Sequence, residues 1–233
     1  MQYAIIAAGE GSRLLQEGVT TPKPFVRVCG ECLIDRLIRI FRAAGAERVN
    51  VVCRPESECL MLERLQAGVP LTYIVRTPPS SMHSLYELVP LLSDGDSFVL
   101  TTVDTVFKDR EFLDFVKAFE HMLARKEGDG LMGVTDYIDD EKPLYVKTDE
   151  QLYIQSFADC DATPLYVSGG VYGLTPKSLL TLQGCIDRGE RRMRNFQRAL
   201  LSDGHKLKAW PFSKVIDVDH AADIVKAEAL LKE

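Results

Sequence analysis

The sequence has few of the features that mark several common classes of protein. It has six cysteines in 233 residues, and the pair Cys29 and Cys32 has no second Cys-x-x-Cys or histidine pair to complete a tetrahedral zinc site. No apolar run approaches the length of a membrane span, and no basic leader precedes the first apolar segment. We therefore expect a cytoplasmic protein that does not enter a membrane, with cysteines that act as small apolar residues.

The chain also has fewer basic residues than acidic ones. The chain has 28 Lys and Arg against 34 Asp and Glu, which gives a formal net charge of −6. This balance argues against a nucleic-acid-binding surface and favours small-molecule partners. Internal repeats, low-complexity tracts and linkers are lacking too. With 46% hydrophobic residues, the composition predicts one compact domain with a sizeable core.

Strand-like and helix-like segments alternate through the first half of the chain. The strands are predicted at residues 3–7, 48–53, 71–75, 97–103 and 130–135, and the helices at residues 33–41, 56–66, 82–92 and 110–125. This order is typical of an α/β protein with a doubly wound, mostly parallel, Rossmann-like sheet. In the later half, residues 144–147 and 152–157 flank Asp-Glu-Gln and predict an inserted β-hairpin, followed by strands at 167–174 and 206–212 and helices at 177–187, 192–201 and 220–231.

The segment after the first strand has the composition of a phosphate-binding loop. Its glycines let backbone N–H groups approach an anion with no Cβ in the way. Glycines alone would equally suit an ordinary turn, and the loop fits neither the Walker A nor the dinucleotide-binding pattern. Two cations strengthen the prediction of a phosphate site. Arg13 carries a planar fork of donors, and Lys23 carries a compact charge between two prolines. The candidate nucleotide-binding residues of the loop are Ala8, Gly9 and Gly11.

These two segments, Ala-Ala-Gly-x-Gly-x-Arg ending at Arg13 and Pro-Lys-Pro around Lys23, resemble the signature of the sugar-phosphate nucleotidyltransferases, also called nucleotide-sugar pyrophosphorylases. The resemblance extends to the last helix. It implies a fold of the nucleotide-diphospho-sugar transferase type, with a nucleotide-binding half at about residues 1–136 and an acceptor-binding half at about residues 137–233. It also implies catalytic roles, since Arg13 would hold the leaving pyrophosphate and Lys23 would neutralise charge between the α-phosphate and the acceptor.

Two carboxylates are candidates for a magnesium site. Asp104 follows a buried strand, at the edge of the sheet where ligands collect, although a carboxylate there could also form a turn or cap a helix. The resemblance implies that Asp104 is the first Mg²⁺ ligand, and Val103 stands where the family usually has glycine. Alternation puts Asp217 and Asp219 on the same side of a short strand. We assign Asp217 to Mg²⁺, because Asp219 suits the N-cap of the last helix, and whether Asp219 shares the metal stays open.

Two further segments are candidate substrate contacts. Ser80 and Ser81 stand where the family has a loop that reads the nucleobase, although either could simply cap the following helix. Ser168 and Gly170 belong to a strand that resembles the one against which the acceptor lies in the family, and a β-bulge would explain the same glycines. Five arginines between residues 188 and 198 fit a solvated helix start better than an acceptor site.

The sequence therefore predicts an Mg²⁺-dependent nucleotidyltransferase, which joins a nucleoside triphosphate to a sugar 1-phosphate or a similar phosphorylated small molecule and releases pyrophosphate. One alternative is a glycosyltransferase that uses Asp-Val-Asp at residues 217–219 as its metal site, although such a motif normally lies in the middle of the chain. Another is a sensor of the same fold that binds nucleotides without turnover. The pattern leaves the nucleobase, the acceptor and the oligomeric state open.

Overall fold

The computed structural model describes residues 1–92, 95–139, 141–160 and 165–233. The strands are β1 (Gln2–Ala7), β2 (Arg27–Val28), β3 (Glu31–Cys32), β4 (Val49–Cys53), β5 (Leu71–Val75), β6 (Phe98–Thr102), β7 (Thr105–Val106), β8 (Gly130–Thr135), β9 (Tyr145–Thr148), β10 (Ile154–Ala158), β11 (Tyr166–Leu174), β12 (Leu207–Phe212) and β13 (Ile216–Asp217). The helices are α1 (Ser12–Gln16), α2 (Leu33–Ala43), α3 (Glu58–Gln66), α4 (Ser81–Leu92), α5 (Asp109–Ala124), α6 (Ser178–Asp187), α7 (Met193–Ser202) and α8 (Ala221–Lys232). Single turns of 3₁₀ helix lie at Lys23–Phe25 and Pro55–Ser57.

One nine-stranded sheet contains strands from both halves of the chain. Strands β5, β4, β1 and β6 are neighbours in that order and run parallel. Strand β11 lies antiparallel to β6, β8 and β9, and β12 runs parallel to β8. In this sheet only β10 and β11 run against the common direction of the other described strands. The expected mostly parallel α/β sheet is therefore confirmed.

Helices cover both faces of this sheet, because its central strands are apolar on both sides. Along β1, Tyr3 and Ile5 contribute to one buried cluster, and Ala4 and Ile6 contribute to the other. Helices α2 and α5 pack on the first face, and α4, α6 and α7 pack on the second. Two buried faces are the reason why these strands read as continuous apolar runs instead of alternating ones. The same arrangement brings the ends of β1 and β6 together at one edge of the sheet.

Most predicted elements lie within about two residues of the observed ones, which is the usual uncertainty of helix and strand ends. The prediction missed the short helix α1 and the small hairpin of β2 and β3. The expectation that the cysteines act as small apolar residues fits three of the six, since all six are free but only three are buried. Cys32, Cys53 and Cys185 are buried, whereas Cys29, Cys59 and Cys160 are exposed. Among the described residues, no helix combines the length and the apolar character that a membrane crossing needs.

Candidate active site

The carboxyl ends of β1 and β6 border the first part of the site, a cleft of about 540 Å³ that we call the loop cleft. The loop after β1, the lysine of the Pro-Lys-Pro segment, the start of α4 and the end of β6 all contribute to it. It is lined by Ala8, Gly9, Gly11, Arg13, Lys23, Ser80, Ser81, Thr102, Asp104 and Asp219, among others. The two cations and the glycine loop that the sequence singled out thus line one cavity with Asp104.

Gly11 makes the close packing of the loop against Lys23 possible. Its φ of 60° lies in the left-handed region, which glycine adopts without the steric cost that a side chain brings. A Cβ at this position would lie 3.3 Å from the Cβ of Lys23. The backbone therefore turns sharply and approaches the lysine at the same residue, and only glycine meets both requirements.

Lys23 is the buried cation of the loop cleft, with 8% of its surface exposed. Its ammonium donates hydrogen bonds to Asp104 and, at 2.6 Å, to Oδ1 of Asp219. Burial by itself would lower the pKa of Lys23, but the two carboxylates outweigh that effect and raise it above its ordinary value. Burial would likewise raise the pKa of Asp104, and the Lys23 ammonium holds it below its ordinary value instead. Both groups are therefore charged at neutral pH.

Arg13 reaches the same group of residues from the opposite side. Its guanidinium donates to Oδ2 of Asp219 at 3.1 Å and lies 3.4 Å from Oε2 of Glu141. About half of the side chain is exposed, so it is free to reorient toward an anion in the cleft. Asp219 therefore links the two cations, since Arg13 and Lys23 bind its two different oxygens.

Asp217 is brought close to Asp104 by the short antiparallel pair of β7 and β13. In this pair Asp217 lies opposite Thr105, and the N–H of Val218 donates to the carbonyl of Asp104 at 3.0 Å. The Thr105 hydroxyl donates to Oδ1 of Asp217 at 3.1 Å. Protein atoms crowd the carboxylate of Asp217, although its side chain stays open to the cavity, and together with the negative charge of Asp104 they raise its pKa to about 7. Two carboxylates of this kind destabilise each other unless a cation lies near them.

The donor set fits a magnesium ion better than a softer metal. No group of three or more His, Cys, Asp or Glu side chains in the described part of the chain could hold a metal by itself. Mg²⁺ needs no such group, because it is usually held by one or two carboxylates, several waters and the phosphates of a substrate. Asp104 and Asp217 carry hard carboxylate oxygens of the kind that Mg²⁺ prefers, and they line two adjoining cavities.

The expectation that Asp219 caps the last helix was wrong. The N-cap residue of α8 is His220, whose backbone N–H donates to Asp223 at 2.8 Å in a capping box. Glu17, at the end of α1, accepts from the backbone N–H of Ala221 and contacts the His220 ring, both at 2.6 Å. The side chain of Asp219 is therefore available to bind Lys23 and Arg13.

The second part of the site is a cavity of about 330 Å³ along β11, which we call the strand cavity. It shares Ser80, Ser81 and Thr102 with the loop cleft, so the two are continuous. Its other lining residues are Lys142, Leu144, Ser168, Gly170, Tyr172, Arg191, Arg192, Met193, Arg194, Gln197 and Asp217. The structure thus brings Ser168, Gly170 and Asp217 together, beside the cleft that contains Asp104.

Two of the alternative structural interpretations also hold. The pairing of β11 with β8 shifts its register between Ser168 and Tyr172, so an irregularity of the β-bulge kind is present. Gly170 has a φ of 70°, and a Cβ there would lie 2.9 Å from the Thr105 hydroxyl that binds Asp217. Ser80 caps α4, because its hydroxyl accepts from the N–H of His83 at 3.4 Å. These residues have structural duties and line the cavities as well.

Sequence reasoning missed several residues of the site. Asp219 was assigned to the helix cap, with a share in the metal site left open, and neither Tyr172 nor Gln197 was considered as a substrate contact. The arginines were interpreted as a solvated helix start, yet Arg191 and Arg192 line the strand cavity. The helix was predicted to begin at residue 192, whereas α7 begins at Met193, so both arginines precede it and need not lie on a helix face.

Comparisons with known proteins identify relatives in sequence and in fold. A 2-aminoethylphosphonate cytidylyltransferase from Lancefieldella rimae is 34% identical over 107 residues, which are 45% of this chain and 43% of that protein. The structure of the inositol-1-phosphate CTP transferase from T. maritima matches with a TM-score of 0.81 at 20% identity, over 100% of this chain and 96% of that one. UDP-glucose pyrophosphorylase in complex with UDP-glucose matches with a TM-score of 0.79 at 15% identity, over 98% and 97% of the two chains.

These relatives define one class of protein, the nucleotidyltransferases. Residues 3–147 match the MobA-like NTP transferase domain, and the chain belongs to that family. The family resemblance seen in the sequence is therefore confirmed. The chain spans between 43% and 66% of the length of the curated relatives that it matches.

Proposed function

We propose that the protein transfers a nucleotidyl group from a nucleoside triphosphate to a phosphorylated or phosphonate-bearing small molecule and releases pyrophosphate. One observation carries this proposal. The buried Lys23 ammonium binds Asp104 beneath a glycine loop, and Asp217 lies on the adjoining strand pair. A polyanion with a divalent cation fits such a cleft, because glycine N–H groups, a fixed lysine and two carboxylates complement phosphate and metal together.

The chain's own residues would act mainly by positioning and by neutralising charge. The loop N–H groups and Arg13 would hold the β- and γ-phosphates, which become the leaving pyrophosphate. Lys23 would lie between the α-phosphate and the acceptor and would offset the charge that accumulates there. An oxygen of the acceptor phosphate is already ionised at neutral pH, so the attack on the α-phosphorus needs no protein base.

Asp104 and Asp217 would hold Mg²⁺, which when bound supplies positive charge to the α-phosphate. Thr105 fixes the orientation of Asp217 through its hydroxyl, and Gly170 leaves room for Thr105. The negative charge that raises the pKa of Asp217 would be offset when the cation binds. The proposed reaction uses triphosphates, and we place it in the cytoplasm, where they are abundant.

We propose CTP as the nucleotide to test first. The Lancefieldella relative is named as a cytidylyltransferase, and the T. maritima structure as a CTP transferase. The loop cleft, about 540 Å³ in volume, offers the hydroxyls of Ser80 and Ser81 and the backbone of the loop to a base. The acceptors of the two named proteins both carry phosphorus with ionised oxygens, which is the chemistry that the proposed attack requires.

The test is a pyrophosphate-release assay. The protein and Mg²⁺ are incubated with each of the four ribonucleotides and dTTP, against a panel of sugar phosphates, polyol phosphates and phosphonates. We expect release only when a triphosphate and an acceptor are both present. Release of nucleoside diphosphate from a nucleotide sugar would indicate a glycosyltransferase instead, and tight nucleotide binding without any product would indicate a sensor.

A further inference from the structure

We propose that Asp219 makes the binding of phosphates in the loop cleft depend on a divalent cation, because its carboxylate pairs with both cations of the cleft. Asp219 is a positioning residue, since it acts through Arg13 and Lys23. The inference rests on the proposed function and goes beyond it, because it names the residue that discriminates a metal–phosphate complex from the free anion.

Asp219 binds the two cations with different oxygens. Its Oδ1 accepts from the Lys23 ammonium at 2.6 Å, and its Oδ2 accepts from Nη1 of Arg13 at 3.1 Å. The other amino group of Arg13, Nη2, lies 3.4 Å from Oε2 of Glu141. A phosphate that binds both amino groups of Arg13 in a bidentate contact has to displace Asp219 from one and Glu141 from the other. Asp219 and a phosphate therefore compete for the same guanidinium.

Backbone hydrogen bonds hold Asp219 at the cleft. Its N–H donates to the carbonyl of Asp217 at 3.0 Å and to Oδ2 of Asp223 at 3.2 Å. Asp223 belongs to the capping box at the start of α8. Because neither bond involves Arg13 or Lys23, a phosphate that takes Arg13 leaves these bonds intact. The carboxylate of Asp219 thus stays in the cleft as a negative charge beside the phosphate.

The ion-paired charges of the loop cleft cancel when Asp219 is counted. Arg13 and Lys23 contribute two positive charges. Asp104 and Asp219 contribute two negative ones. Glu10 also lines the cleft, but its side chain is 74% exposed and its charge is screened by solvent. A free pyrophosphate or triphosphate therefore meets little net attraction, whereas a phosphate that arrives with Mg²⁺ brings the positive charge that the cleft lacks.

Asp219→Asn removes the competition and keeps the shape of the side chain. The Oδ1 of the asparagine can still accept from Lys23, whereas its Nδ2 is a donor and cannot accept from Arg13. The substitution therefore releases Arg13 and leaves the cleft with net positive charge. A free phosphate should then bind more tightly. Loss of a metal ligand, or of a residue that only stabilises the fold, would not tighten the binding of a metal-free phosphate.

The experiment measures the binding of inorganic pyrophosphate and of a non-hydrolysable CTP analogue by calorimetry, once with EDTA and once with Mg²⁺. We expect Asp219→Asn to bind metal-free pyrophosphate about 5-fold more tightly than the wild type, which is the size of one exposed ion pair that no longer competes. With Mg²⁺ the gain should fall to about 2-fold or less, because the lost attraction between Asp219 and the cation offsets it. The CTP analogue should follow pyrophosphate.

Two further variants isolate the contribution of Asp219. Glu141→Gln is the matched control, because that carboxylate also lies near Arg13 but is 67% exposed, and Lys23 is bound by Asp219 instead. Its gain in the binding of metal-free pyrophosphate should be smaller. In an Arg13→Gln background the gain from Asp219→Asn should shrink, since no guanidinium is left to release. Should Asp219→Asn fold poorly, Asp219→Ser removes the same charge and should shift binding in the same direction.

Unchanged or weaker binding of metal-free pyrophosphate in a folded Asp219 variant would overturn the inference. An equal gain in Glu141→Gln, or an undiminished gain in the Arg13→Gln background, would overturn it as well. Tighter metal-free binding in a protein that releases no pyrophosphate with any substrate pair would uphold the inference and refute the proposed function. Pyrophosphate release by the wild type, with unchanged pyrophosphate affinity in Asp219→Asn, would refute the inference alone.

Discussion

Lys23 is the residue on which the charges of the site depend. It is the buried partner of Asp104 and Asp219, and its ammonium holds the pKa of Asp104 low. Without it, the loop cleft would present carboxylates where the proposed substrate brings phosphates. We therefore expect a single neutral substitution of Lys23 to make the loop cleft less favourable for phosphate.

We expect Lys23→Gln to lower kcat by about 10²- to 10³-fold, the typical loss when one preorganised charge-stabilising group is removed. The assay is pyrophosphate release at saturating triphosphate. Lys232→Gln is the control, because that lysine pairs, within the described part of the chain, with Glu228 on the exposed end of α8. If Lys23→Gln kept wild-type turnover, Lys23 would have no part in the reaction.

Gly11 offers a second test at the scale of one residue. Gly11→Ala and Gly18→Ala both place a side chain at a positive φ, and both should lower the free energy of unfolding by about 1–2 kcal/mol. Only the new Cβ at Gly11 meets Lys23, since nothing lies within 4 Å of the one at Gly18. We expect Gly11→Ala alone to lower kcat/KM. Equal activity of the two variants in the same assay would show that the loop does not position the lysine.

Helix α8 follows the segment that contains the second carboxylate. It begins at Ala221, after β13 ends at Asp217, and Glu17 binds its start through His220 and Ala221. The hydrogen bond that the His220 ring donates to Glu17 is the main cause that raises the pKa of His220, and the same bond lowers the pKa of Glu17. The contact ties the end of α1 to the segment that contains Asp217 and Asp219.

This contact predicts a pH dependence. Because the folded-state pKa of His220 is raised, the ion pair is fully present below the ordinary histidine value of about 6.5 and is lost as the pH rises through the higher folded value. NMR titration should give a midpoint above 6.5 for His220 in the wild type. The midpoint should fall in Glu17→Gln and stay unchanged in Glu228→Gln, and an unchanged midpoint in Glu17→Gln would show that the contact does not form in solution.

The sequence predicted which residues before α8 face the core, but it did not predict which residue caps the helix. Alternation placed Ile216 and Val218 inside and Asp217 outside, as the structure has them. The cap was wrong because the choice between Asp219 and His220 depends on Glu17 and Lys23, about 200 residues away along the chain. Capping propensity depends on residues that are close in sequence. It does not tell which charged side chains from distant parts of the chain will form ion pairs. Gln197 was missed for the same reason.

At the scale of the whole molecule, one sheet joins the glycine loop to the second half of the chain. Strand β11 lies beside β6 in this sheet, so Gly170 and Tyr172 come next to the strand that ends at Thr102. The alternation of strands and helices predicted the parallel part, because each βα unit is local. The reversed direction of β11 was not predicted, since a strand's direction is set by its partners.

The central claim is that Asp104 and Asp217, from distant parts of the chain, hold one metal ion on a bound triphosphate. The most direct measurement is the rate of pyrophosphate release against Mg²⁺ concentration for Asp104→Asn, Asp217→Asn and the control Asp114→Asn, whose carboxylate lies on α5 near Arg110 and Lys117. Both site variants should lose about 10²- to 10³-fold in rate, whereas the control should keep the wild-type rate. Wild-type turnover and an unchanged Mg²⁺ requirement in Asp217→Asn would contradict it.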